Sequence, residues 1–334
     1  MTAVKYDVLG VGNALVDVLA PADDDFLAAA GIAKGAMTLI DEDRAGALYA
    51  RMARATMASG GSAANTIAGV AGFGASGAFV GKVRDDEFGD AFAHDLHAAG
   101  VTFETARATH GPSTGRSYIF VSPEGERSMN TYLGAGLGLD EGDVDEARVA
   151  ASRIVYLEGY LWDPPGAKRA FRRASKVAHA AGRRVALTLS DSFCVERWRD
   201  EFLGLIRDGL VDVVFANEAE TKALYRLDGF DDAFAALAKE RALSVVTRGA
   251  AGCLVADAGK VVAAPAQTVA KVVDTTGAGD LFAAGFLVGL ARGAPHEASA
   301  KLGAVAAAEI LGHYGPRAQG DLRDLARKAG VAGV

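Results

Sequence analysis

The stretch "VVDTTGAGDLFAAGF", residues 272–286, decides how the chain is read. Two glycines flank Ala278, a carboxylate follows at Asp280, and apolar residues then recur at helical spacing. A helix beginning near Gly277 would present unpaired backbone N–H groups and the positive end of its dipole to whatever lies in front of it. The small residues Gly277, Ala278 and Gly279 let an anion such as phosphate approach that backbone closely. Asp280, in the first turn, stands in the same positive field, which favours its ionised form. A carboxylate beside an anion cradle suits the removal of a proton from a hydroxyl while a phosphoryl group passes to it. A plain turn followed by an ordinary first-turn aspartate accounts for the same residues equally well.

Working outward, short β-rich runs alternate with longer alanine-rich segments of helical period. The expected strands are "YDVLGVG", "GAFVG", "RIVYLEG", "RVALTLS", "VDVVFAN" and "LSVVTRG". Helices are expected near 65–72, 86–99, 165–181, 196–207, 219–224 and 231–241. That rhythm predicts an α/β fold with a mostly parallel sheet and helices on both faces, which binds its ligands at the carboxyl ends of the strands. Two segments break it. "TGRSYIFVSPEGERSMNTYL" reads as a hairpin turning at Pro123 to Gly125, and residues 14–41 read as strand, short helix and strand inserted after the first core strand. Both are expected to form a small lid.

The composition narrows the function. With 334 residues, 50% of them apolar and 23% charged, the chain can bury a large core, and no linker divides it. A net charge of −7 speaks against nucleic acid as a partner, leaving small molecules. The first residues lack a signal-peptide pattern and the longest apolar run is too short for a bilayer, so a cytoplasmic protein without membrane contact is expected. Cys194 and Cys253 have neither disulfide nor zinc spacing. "SGAFVGKV" misses a P-loop at Ser76 and Val83, and "GVGNAL" lacks the third glycine of a dinucleotide site. His94 and His97 read as a solvated helix face.

Residues 60–89, "GGSAANTIAGVAGFGASGAFVGKVRDDEFG", together with "DTTGAGDLFAAGF" at 274–286, resemble the two signatures of the ribokinase-like (PfkB) family of sugar and nucleoside kinases. The resemblance extends over nearly the whole chain. It implies a ribokinase-like αβα sandwich over 1–334 as a single domain, with a small β lid from about 13–52 and 113–133. It further implies an ATP-dependent kinase that uses Mg²⁺, with K⁺ as a further ion, acting on a nucleoside or sugar as monomer or homodimer.

Residue by residue, the resemblance implies that Asp280 is the catalytic base and that Gly277, Ala278 and Gly279 form an anion hole. In "NEAE", Asn217 and Glu220 would organise Mg²⁺ through water, while the same residues also make an ordinary helix cap. "TRGAAG" supplies Thr247, Arg248, Gly249 and Gly252 to ATP, with Arg248 departing from the apolar residue many members carry. Asp274 and Thr276 match positions that frame a monovalent cation. Asn13 and Asp17 match the positions facing the acceptor, and Gly61, Ser62 and Asn65 would surround the same ring. The segment after Asp17 and the turn "LTLSDSF" are similar to the adenosine-kinase branch, as is Arg127, which would reach the transferred phosphate or else guard a hairpin edge. Tyr160, Trp162 and Phe193 are either walls for a purine or ordinary core and surface. Adenosine is thus the expected acceptor, giving AMP; ribose, fructose or a related sugar is the alternative, and a nucleoside-binding regulator without chemistry the third reading.

Overall fold

A computed structural model describes residues 2–52, 54–124 and 126–331. In chain order the strands are β1 (Tyr6–Val11), β2 (Leu15–Pro21), β3 (Met37–Leu39), β4 (Thr56–Gly60), β5 (Gly77–Val80), β6 (Val101–Phe103) and β7 (Gly115–Val121). They continue with β8 (Arg127–Tyr132), β9 (Ser152–Glu158), β10 (Arg184–Thr188), β11 (Val213–Asn217), β12 (Leu243–Thr247), β13 (Cys253–Asp257) and β14 (Lys260–Ala264).

Nine of these form one sheet in the order β14-β13-β12-β11-β10-β9-β1-β5-β6. Pairing is parallel from β6 through β12, and the last two strands run antiparallel. All six expected strands lie here, and the fold is the mixed α/β, mostly parallel architecture the sequence implied. Residue alternation explains why these runs are almost wholly apolar. Val8 packs into a core on one face and its neighbour Leu9 into a second core on the other, so each strand must be hydrophobic on both sides. The hairpin of β13 and β14 and the three-residue β6 were not expected; they extend the sheet at its two sides.

The chain leaves β1 toward β5 on one side and later returns to β9 on the other, so β1 and β9 flank a topological switch point. A crevice opens there at the carboxyl ends. Over it lies a five-stranded sheet in the order β3-β8-β7-β2-β4. Its β7–β8 hairpin and the strand, helix (Asp24–Ala30) and strand before it match the expected pattern. Gly125 of the expected turn lies outside the described residues. The sheet also takes β4, which pairs with β2 beyond residue 52 and carries the chain back to the crevice.

The opening stretch becomes the helix Ala278–Ala291, with every residue from Leu281 to Leu290 buried. It is wedged between the helices Ser62–Gly72 and His296–Ile310. Approach to the first is so close that a Cβ on Gly69 would stand 2.7 Å from the Ala284 Cβ. Among the described residues no helix is long and apolar enough to cross a membrane.

This contact predicts the effect of Gly69→Val. Replacing glycine inside a helix gains at most about 1 kcal/mol of propensity, whereas overpacking a tight contact costs about 1–3 kcal/mol. With a branched side chain the second effect wins, so urea denaturation should show a clearly lowered midpoint; an unchanged one contradicts the close approach.

Candidate active site

The helix Ala278–Ala291 begins at the crevice. Gly277 caps it at φ 78°, a left-handed conformation that favours glycine, and a Cβ there would meet Pro316 at 3.0 Å. The Ala278 N–H donates to Thr275 O at 3.2 Å and closes the turn. One turn in, Asp280 Oδ1 accepts from Ser62 Oγ at 2.6 Å and Oδ2 from Asn65 Nδ2 at 3.1 Å. Its environment differs from the sequence expectation of a favoured anion. Burial pushes the carboxyl up to about 6, with Ser62, Asn65 and Arg317 opposing that rise. It remains mostly ionised at neutral pH while lying close to the range of an efficient base.

The helix Ser62–Gly72 and the strand ends build the other wall. Gly61, at φ 98°, seats the turn on β1's end so closely that a Cβ would lie 2.2 Å from Asn13 O. Asn13 Nδ2 donates to Glu158 Oε1 at 2.6 Å, and the Ala63 N–H donates to Glu158 Oε2 at 2.8 Å. Asn13 Oδ1 and Asn65 Oδ1 are buried without partners, which leaves two acceptor atoms for the hydroxyl or amino donors of a ligand. Asp17, on β2, is buried as well. Its carboxyl rises to about 7, mainly from burial and further from the Asp280 charge, against the pull of Arg317 and Arg127. Thus Asn13, Asp17, Gly61, Ser62, Asn65 and Asp280 come together, but Ser62 and Asn65 spend their donors on Asp280 rather than standing free around a ring.

Further along the same sheet edge, β11 and β12 end in register at Asn217 and Thr247. Asn217 and Glu220 form a reciprocal cap: the Asn217 N–H donates to Glu220 Oε2 at 3.0 Å, and the Glu220 N–H to Asn217 Oδ1 at 2.9 Å. Arg248 lies over the Phe230 ring at 4.3 Å and pairs with Glu218 at 3.6 Å. Its N–H donates to Gly252 O at 2.8 Å, shaping with Gly249 the turn into β13. Among the described residues no cluster of three His, Cys, Asp or Glu could hold a metal directly. Asp274 is engaged too. It accepts from the Thr276 and Gly315 N–H groups at 3.1 and 3.0 Å and is ion-paired to Arg127 Nη2 at 2.6 Å, both partners buried.

The aromatic candidates separate. Trp162 is wholly buried against Phe171 and Phe202 with its N–H on Glu201, so it is core and cannot line a pocket. Tyr160 and Phe193, 38% and 76% exposed, remain available, and Tyr160 is surrounded by the charges of Asp191, Asp280, Glu220 and Glu158. Two site residues escaped the sequence reading. Glu158, raised to about 7 chiefly by burial, ends an apolar strand as Asn217 does, a signal that could have been used. Arg317 comes from an irregular loop with no periodic signal.

The buried acids carry a stability prediction. Folded protein keeps the Asp17 proton up to about pH 7, whereas the unfolded chain loses it near the usual 4, so stability falls as pH rises through that window. Asp17→Asn should therefore stabilise the fold by on the order of 2 kcal/mol at pH 8 and far less at pH 4. Urea titrations at the two pH values compare them; equal effects contradict a buried, proton-retaining carboxyl.

The family model for pfkB family carbohydrate kinases matches residues 16–321. A solved adenosine kinase from Sinorhizobium meliloti is 53% identical, with a TM-score of 0.91 over 97% of this chain and 99% of that one. A probable sugar kinase protein from Rhizobium etli is 47% identical at a TM-score of 0.92, covering 98% and 99%. Arabidopsis thaliana probable fructokinase-6, chloroplastic, is 31% identical over 70% of this chain; the match spans 63% of its length.

Proposed function

The chain belongs to the pfkB family of carbohydrate kinases, phosphotransferases that use ATP and an alcohol acceptor, and on that premise we propose that it phosphorylates the 5′-hydroxyl of adenosine to give AMP. The observation that carries this reading is the apposition of Asp280, held by Ser62 and Asn65 at a helix mouth, to the buried polar wall of Asn13 and Asp17. The 53% identity to an adenosine kinase favours the nucleoside.

In this reading the acceptor hydroxyl gives its proton to Asp280 as its oxygen bonds to the γ-phosphorus; the bond to the bridging oxygen breaks and ADP departs. The N–H groups of Gly277 and Gly279 stabilise charge on the transferred group, and that of Ala278 joins them only by turning from Thr275 O. Asp17 accepts from the ribose diol, and Tyr160 and Phe193 border the purine. ATP lies along Asn217, Thr247, Arg248, Gly249 and Gly252. Mg²⁺ bound with ATP would offset the phosphate charge, and Asn217 and Glu220, the latter accepting from Asn217 at both oxygens, would hold it through its water shell. Arg127 must leave Asp274 to reach phosphate, and while the pair persists that carboxylate is not free for a monovalent cation. The five-stranded sheet serves as the lid of a single kinase domain. A free-sugar acceptor is the second reading, favoured by the carboxylate of Glu158 beside Asn13 and by likeness to sugar kinases.

Three outcomes follow. Asp280→Asn should lower kcat by roughly a hundredfold or more with ATP binding retained; near-normal turnover by a folded variant removes the base assignment. Because the base works ionised and its folded value is about 6, kcat/KM should rise with pH through that region, and a flat profile between pH 5 and 7.5 contradicts it. ADP release measured with adenosine, 2′-deoxyadenosine, ribose and fructose decides the acceptor. Adenosine should be fastest, and the deoxynucleoside weaker by roughly tenfold or more. A faster free sugar overturns the nucleoside reading alone, while tight nucleoside binding without any phosphorylation favours the regulator.

A further inference from the structure

Residues 313–320 link the helices His296–Ile310 and Leu322–Lys328 without regular structure, yet they are firmly tied. Glu309 Oε1 accepts from the Gln319 and Gly320 N–H groups at 2.9 and 2.7 Å, which fixes one end. The Gly315 N–H reaches Asp274, and Pro316 covers Gly277. Between these anchors stands Arg317. Its Nη2 donates to Ser59 O at 3.0 Å and Ser59 Oγ at 2.6 Å, and its Nη1 donates to Ala64 O at 3.0 Å. Ser59 lies near the end of β4 and Ala64 in the first turn of the next helix. One planar guanidinium therefore spans both ends of the turn that carries Gly60, Gly61, Ser62 and Ala63.

We propose that Arg317 is a positioning residue, clamping both ends of this turn so that Ser62 and Asn65 stay within hydrogen-bond reach of Asp280. The fork matters: a lysine offers the same charge from a single point and cannot hold two carbonyls in fixed relative position. Charged groups meet around it from several elements, with Asp17 on β2, Asp95 on the helix Glu87–Ala98 and Asp280 on the helix Ala278–Ala291, while Arg127 on β8 acts with it on Asp17. Asp95 secures the same corner, accepting from the Ser59 N–H at 2.7 Å. Arg317 also opposes the upward push of burial on both Asp17 and Asp280, so its loss moves both carboxyls further up. The catalytic consequence rests on the proposed phosphorylation of adenosine, whereas the clamp does not.

The test compares wild type, Arg317→Met and Arg317→Lys by amide hydrogen exchange and by steady-state kinetics with adenosine and ATP. Exchange at residues 61–65 should quicken roughly tenfold or more in Arg317→Met while strands β9 to β12 keep wild-type protection. Its kcat/KM for adenosine should fall on the order of thirtyfold or more from misplacement, with the ATP KM changed less than about twofold. The acid limb of its pH profile should move to higher pH. Arg317→Lys should return that limb toward wild type yet keep the fast exchange and a raised adenosine KM. Unchanged exchange in the turn overturns the proposal, as does a loss of protection spread over the whole sheet with the acid limb unmoved. Should Arg317→Met fail to fold, Arg317→Lys decides by the same exchange: fast in the turn supports the clamp, wild-type-like overturns it. A wild type that phosphorylates no acceptor removes the functional reading, and the exchange arm still judges the clamp.

Discussion

Everything at the crevice depends on two helices meeting with almost nothing between them. The helix Ala278–Ala291 is apolar all round and lies inside the protein, so its first turn is carried by a rigid body. The helix Ser62–Gly72 reaches it at Gly69, where the absence of a side chain lets the backbones close. Only at that spacing can Ser62 and Asn65 touch Asp280. With the helices so placed, Ser62 Oγ and Asn65 Nδ2 lie 2.6 and 3.1 Å from the Asp280 carboxylate oxygens.

Such rigidity makes it possible to hold acids where water would not keep them. Asp17, Glu158 and Asp280 all have carboxyls raised by burial, and Asp280 pushes each of the other two further up. Full ionisation of all three is unfavourable in so small a space, which keeps at least one proton near the acceptor wall around neutrality. Arg317 and Arg127 limit the effect at Asp17 without removing it. A group of this kind weakens the fold by the same burial that raises its carboxyls.

The sequence disclosed the parts of the site that sit in long patterns. The parallel sheet was legible because its strands are apolar on both faces, and the two glycine-rich motifs because each leads into a helix start. Glu158 was passed over although it occupies the same kind of position as Asn217, since one carboxylate after an apolar run carries no spacing. Arg317 could not be found at all: its partners Ser59 and Ala64 lie some 250 residues away in sequence, and only the folded chain brings them near. Trp162, open in the sequence between purine wall and core, is core. Tyr160, two residues before it in the same short helix, stays half-exposed while the indole is wholly buried, a distinction that residue type does not encode.

The position of the small sheet in the chain has a historical reading. Its strands come from two insertions, β2 to β4 between β1 and the helix Ser62–Gly72 and the β7–β8 hairpin between β6 and β9, and it carries Asp17, whereas β11, β12 and the helix Ala278–Ala291 belong to the large sheet and its cover. An ancestral chain could therefore exchange or lengthen those insertions and meet a new small molecule without disturbing the remaining architecture. The seams are two, from Asn13 out and Gly61 back and from Thr114 out and Leu133 back, and seams so narrow are where a lineage diversifies at least cost to its fold.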